Sequence, residues 1–146
     1  MGNFIEDVKV GEKVQDFIIK ELHDEFPSLK SQHGNFANYD LVSEDGYTIE
    51  VKFDRGSANT GNVVIEYKYD GEPSGISKTA ALEWVHVFSH HSKWAYCRIK
   101  VRELKAFIKN NWKYLKKVEG GDAYKSKMVL IPVNDFMDTF PYKNIP

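Results

Sequence analysis

Alternation of apolar and polar residues is clearest from Tyr47 to Phe53. At strand period, Tyr47, Ile49, Val51 and Phe53 share one face, and Thr48, Glu50 and Lys52 share the other. Asp45-Gly46 just before it suits the positive φ of a tight hairpin. A strand over residues 36–42 is therefore expected to pair antiparallel with 47–53, which brings Asp40 towards Glu50 and Lys52. Two carboxylates and an amine converging at a sheet edge are costly to keep for structure alone, and a hard divalent cation would relieve the repulsion.

Three- and four-residue steps through Val10, Val14, Phe17, Ile18 and Leu22 predict an amphipathic helix over residues 7–26. Glu12 falls beside Ile19 at the border of its apolar stripe, either facing a cleft or serving as a first-turn acid favoured by the helix dipole. Residues 54–62, small and polar and including Arg55, read as a mobile loop directly after Lys52, placed either to close over a ligand or simply to connect two strands. Residues 63–69 read as a third strand with Val64, Glu66 and Lys68 on one face, Glu66 being a reserve site residue.

From Ser77, the spacing Ala80, Ala81, Trp84, Val85, Phe88 predicts a second helix with Ser77 as N-cap. Ser77, Lys78 and Thr79 would then sit at its positive end, where a phosphate binds well, although capping without a ligand is the commoner use. His86 and His90 have metal-compatible spacing but lack the glutamate of a zinc-hydrolase motif, and a frayed helix end near Ser89 is expected instead. A fourth strand at 93–101 turns Ala95, Cys97, Ile99 and Val101 inward. A third helix over 102–115 carries Lys105, Lys109, Lys113 and Lys116 on its outer face. Gly120-Gly121 breaks the chain, 128–132 is a short apolar strand, and Val133, Phe136, Met137 and Phe140 suit a closing helical turn.

Composition narrows the class. With 146 residues, 42% of them hydrophobic, one domain spanning 1–146 is expected. No apolar run reaches the roughly 18 residues of a membrane span, and no basic-then-apolar leader opens the chain, so an intracellular, cytoplasmic protein without a membrane partner is expected. A single cysteine, Cys97, excludes an internal disulfide and a multi-thiolate zinc site. The net charge of −1 conceals ten basic against three acidic residues between Arg98 and Lys127. That excess suits either a phosphate backbone or a solvated helix.

The order helix, strand, strand, strand, helix, strand, with an acid on the first strand and Glu50-Val51-Lys52 on the second, resembles the core of the PD-(D/E)xK nuclease superfamily. The resemblance spans residues 11–101. Asp40 matches the first acid, Glu50 the second and Lys52 the lysine, while Glu12 resembles the glutamate many members carry on the first helix. Tyr39 stands where the motif name has proline, a position that contributes no ligand. At a second level, the length and helix glutamate are similar to small junction-resolving enzymes of archaea and phages.

The resemblance implies an α/β, restriction-endonuclease-like αβββαβ core, a mixed central sheet flanked by helices, with a basic C-terminal helix. It implies a Mg²⁺- or Mn²⁺-dependent deoxyribonuclease, an endonuclease, with DNA as partner. Asp40, Glu50, the Val51 carbonyl and Glu12 would be the oxygen ligands, and Lys52 would position water or stabilise charge. Ser77, Lys78, Thr79, Arg55, Lys105 and Lys109 are the expected nucleic-acid contacts. A homodimer would suit so small an enzyme cutting two strands. The competing readings are a catalytically silent nucleic-acid-binding module built on helix 102–117, and a protein-interaction domain anchored by Tyr142 or Trp112.

Overall fold

The computed structural model describes residues 10–32 and 39–146. The first expected helix is present as α1 (Val10–Glu21). Its expected beginning before residue 10 and residues 36–38 of the expected first strand lie outside the described residues. Val14, Ile18 and Leu22 form its buried side, as their spacing predicts. Helical bonding runs out in single turns at Leu22 and Phe26, and Pro27, which has no N–H, follows.

Among the described residues, ten strands form two sheets. The larger is ordered β1 (Lys30–Ser31), β2 (Leu41–Val42), β3 (Thr48–Phe53), β6 (Glu83–His90), β7 (Lys93–Lys100), β10 (Tyr142–Asn144). It is mixed, because β3 pairs parallel with β6 while every other neighbouring pair is antiparallel. The smaller is antiparallel and ordered β5 (Glu72–Pro73), β4 (Asn62–Tyr69), β9 (Ser126–Pro132), β8 (Lys116–Gly120). The predicted hairpin forms around Gly46, whose φ is +89°, with Leu41 opposite Ile49 and Val42 opposite Thr48, but its first strand is only two residues long and Tyr39 and Asp40, expected on it, form a bend before it.

The larger sheet separates two apolar clusters. On one side Val14, Ile18 and Leu22 of α1 meet Ile49, Val85, Val87 and Tyr96. On the other, Trp84, Phe88, Cys97 and Ile99 meet Ile65, Val129 and Ile131 of the second sheet. Leu104 of α3 (Val101–Asn110) and Phe136 of α4 (Val133–Thr139) complete that second cluster. Glu50 and Lys52, alternating with Ile49 and Val51, therefore face the side where the two sheets meet. Cys97 is a core residue, and burial pushes its thiol up to about 12. No helix among the described residues is long and apolar enough to cross a membrane.

Several expected elements differ. The helix predicted from Ser77 is instead a 3₁₀ turn, Gly75–Ser77, followed by the strand β6. Residues 83 to 89 are all buried, since β6 lies between β3 and β7 with a core on each face. A strand covered on both sides needs no alternation, so its apolar run imitates helical spacing. The expected αβββαβ order fails at this element, and the chain crosses from β3 to the parallel β6 through the second sheet. The stretch expected as a mobile loop holds α2 (Ser57–Thr60), closed by Gly61 at φ +71°. Ser57 is buried there, its hydroxyl donating to the Asp54 carbonyl and accepting the Ser89 N–H. The expected lysine stripe is shortened too. Asn111 ends α3 by donating its N–H and side-chain amide to the Phe107 carbonyl. Lys105 and Lys109 ride on α3, but Lys113 sits in a 3₁₀ turn and Lys116 in β8.

Candidate active site

Pairing between β2 and β3 stops after Leu41 and Ile49, which leaves the next β2-facing amide of β3, that of Val51, without a strand partner. The Asp40 carboxylate supplies one, its Oδ2 accepting the Val51 N–H at 2.8 Å. The Asp40 amide in turn donates to the Ile49 carbonyl at 2.9 Å. Because the N–H and C=O of one strand residue point to the same side, the Val51 carbonyl faces the Asp40 edge as well.

Glu50 and Lys52 project two residues apart from the same face of β3. Lys52 Nζ lies 3.0 Å from Glu50 Oε2, and the Thr79 hydroxyl donates to Glu50 Oε1 at 3.4 Å. The Glu50 side chain is only 14% exposed. Burial pushes its carboxyl above the usual range, Lys52 opposes this, and the negative charge of Asp40 adds to it. Lys52 also lies 5.6 Å from the centre of the Trp84 ring, close enough for a cation–π contact. Asp40, Glu50 and Lys52 are thus brought together, as the hairpin predicted.

Glu12 is not brought to them. It is exposed on α1, which covers the opposite face of the sheet, and makes no hydrogen bond or ion pair with the three. Ser77 and Lys78 are exposed at the 3₁₀ turn, so the expected helix N-terminus for a phosphate does not exist. Thr79 contacts Glu50 instead and accepts the Ala81 N–H. Arg55 is exposed with its guanidinium 5.8 Å over Phe53. Lys105 and Lys109 face solvent on α3.

A buried polar chain, missed at the sequence level, lies beside Lys52. Asp54 Oδ2 accepts the Val64 N–H at 2.7 Å and sits 2.9 Å from His86 Nε2. The indole N–H of Trp84 can only donate, and it reaches His86 Nδ1 at 3.1 Å, so Nε2 carries the proton shared with Asp54. The His86 and Asp54 side chains are 1% and 7% exposed. His86 is therefore a strand residue with two partners, not part of a frayed helix end. No periodic signal marked it, because β6 is buried on both faces from Glu83 to Ser89. Next to the chain lies a cavity of about 280 Å³, lined by Lys52, Asp54, Arg55, Glu66, Gly75 and His86 among others, with Glu66 on its β4 wall.

The donor set fits a hard cation that keeps several of its waters, namely two carboxylates and one backbone carbonyl, all oxygen. Raised by burial and by Asp40, the Glu50 carboxyl is a group that a bound cation would relieve. Among the described residues, no group of three or more His, Cys, Asp or Glu side chains is placed to hold a metal ion. A search of protein-family models finds no match to this chain, and a search of curated proteins finds none either.

Proposed function

We propose that the protein is a metal-dependent nuclease of PD-(D/E)xK type, an endonuclease hydrolysing phosphodiester bonds in DNA. The observation that carries this reading is the convergence of three groups at one edge of β3: Asp40 on the Val51 amide, the largely buried Glu50, and Lys52 on Glu50. Asp40, Glu50 and the Val51 carbonyl would hold Mg²⁺ or Mn²⁺, an ion that polarises a phosphoryl oxygen and lowers the pKa of bound water. Lys52, held between Glu50 and the Trp84 ring, positions water or a phosphate oxygen and stabilises charge as it develops. Thr79 orients Glu50, and the Asp54–His86–Trp84 chain fixes the ring beneath Lys52. The antiparallel hairpin and the parallel β3–β6 pair support the restriction-endonuclease-like reading, whereas the strand-built crossover and the remote Glu12 depart from it.

Incubation with linear, circular, single-stranded and four-way-junction DNA, each with Mg²⁺, Mn²⁺ or chelator, tests it. Cleavage should require the metal and disappear in Asp40→Ala and Lys52→Ala proteins that keep the wild-type circular dichroism spectrum. Undiminished cleavage by the double variant would end the proposal. A second reading, a nucleic-acid-binding module with silent acids, is favoured by the exposed lysines of α3. It predicts salt-sensitive binding that persists in chelator, with no cleavage under any condition.

A further inference from the structure

Between β4, the Gly75–Ser77 turn and α3 lies a groove of about 760 Å³, separate from the candidate active site. Its floor is apolar, with Ile76, Tyr67 and Trp112 prominent, and three lysines, Lys68, Lys105 and Lys109, stand around it. No acidic residue is among the described residues lining it, and none of the three lysines forms an ion pair with a described carboxylate. Trp112 is 40% exposed and meets Tyr67 edge to face at 5.1 Å. The ammonium of Lys117, itself exposed and outside the groove lining, lies 4.8 Å from the Trp112 ring centre and donates to the Trp112 carbonyl.

An apolar partner would use the floor and leave the ammonium groups uncompensated. A compact anion would use the lysines and leave the rings idle. Unpaired nucleotides use both, since a base stacks on an aromatic face while its phosphate meets a lysine. In an intact duplex the bases stack on each other and cannot reach such a floor.

The groove also borders the candidate site. Gly75 lines the cavity beside Lys52 while Ile76 and Ser77 line the groove, and Thr79, two residues on, holds Glu50. On β4, Glu66 faces the cavity and Tyr67 and Lys68 face the groove. We propose that this groove binds a single-stranded DNA segment and leads it over the Gly75–Ser77 turn towards Asp40, Glu50 and Lys52. The inference deepens the nuclease reading by naming the substrate class, DNA with an unpaired stretch, and the binding it describes can be measured without cleavage.

The test is binding of the full chain, in chelator, to a labelled oligothymidylate of about 12 nucleotides and to a blunt duplex of equal length. The single strand should bind more tightly. Trp112→Ala should weaken it roughly tenfold and Trp112→Phe much less. Lys105→Ala with Lys109→Ala, both at exposed helix positions, should weaken binding and reduce the slope of affinity against salt by about two phosphate contacts. Duplex bound as tightly as the single strand, or unchanged affinity in both the tryptophan and the lysine variants, would overturn the groove assignment. Should Trp112→Ala lose its fold, the lysine pair alone decides. Metal-dependent cleavage scored separately keeps the two proposals apart. Intact cleavage with no effect of the groove variants removes only the groove, and groove-dependent binding with no cleavage removes only the nuclease.

Discussion

Asp54 and His86, 32 residues apart in the chain, meet at 2.9 Å beneath the candidate active site. The contact ties the end of β3 to β6, and Trp84 extends it at the other ring nitrogen. Replacing His86 with phenylalanine would strand a buried carboxylate and a buried indole N–H, each losing one partner. His86→Phe should therefore cost about 3 kcal/mol, read from the denaturant midpoint. Asp54→Asn, which keeps an acceptor, should cost less. A His86→Phe protein of wild-type stability would show that the chain contributes nothing to the fold.

Glu50 gives a pH dependence whose sign is fixed by burial. Its carboxyl is raised in the folded protein above its ordinary value of 4.5, so between these two values the native state holds more protons than the unfolded state. Stability then falls as pH rises through that window, and the cost of ionising Glu50 is fully present above it. In metal-free protein, Glu50→Gln should raise the melting temperature at pH 7. The gain should shrink as the pH falls towards 4.5. A gain independent of pH would show that Glu50 ionisation is not its source.

Divalent cations should reverse that cost. If Asp40 and Glu50 hold Mg²⁺ or Mn²⁺, a concentration one hundred times the dissociation constant stabilises the native state by about 2.7 kcal/mol. The rise in melting temperature on adding Mn²⁺ should be lost in Asp40→Asn and in Glu50→Gln. Equal rises in all three proteins would place the ion elsewhere.

Arg98 offers a test remote from the site. Its guanidinium donates to both oxygens of Glu83, at 2.7 and 3.0 Å, and to Glu25 at 2.8 Å. Glu83 is 3% exposed and also accepts the Tyr47 hydroxyl at 2.6 Å. Arg98→Met leaves that buried charge short of its cation and should cost about 3–5 kcal/mol in chemical denaturation. Adding Glu83→Leu to Arg98→Met should recover most of the loss, because the stranded charge is then gone. A double variant no more stable than Arg98→Met would argue against this origin.

Local pattern was enough for the elements that lie on one core. The alternation of 47–53 and Asp45-Gly46 specified the hairpin and the approach of Asp40 to Glu50 and Lys52, because a half-buried strand must turn its apolar residues one way. The three- and four-residue steps of Val14, Ile18 and Leu22 specified α1 for the same reason. Glu12 was misplaced because a position on a helical wheel says nothing about which face of a sheet the helix covers.

What the chain alone decided, then, is the pairing of two carboxylates and a lysine on one hairpin, since that rests on neighbours in sequence and the period of a strand. The tertiary structure decided that 83–90 is a central strand, because burial on both faces erases the alternation that would have revealed it. It alone joined Asp54 to His86 and Trp84, and set Trp112 beside Tyr67 and three lysines. Those contacts depend on which segments become neighbours within and between the sheets, and the interactions that bring distant segments together leave no periodic trace in the residues between them.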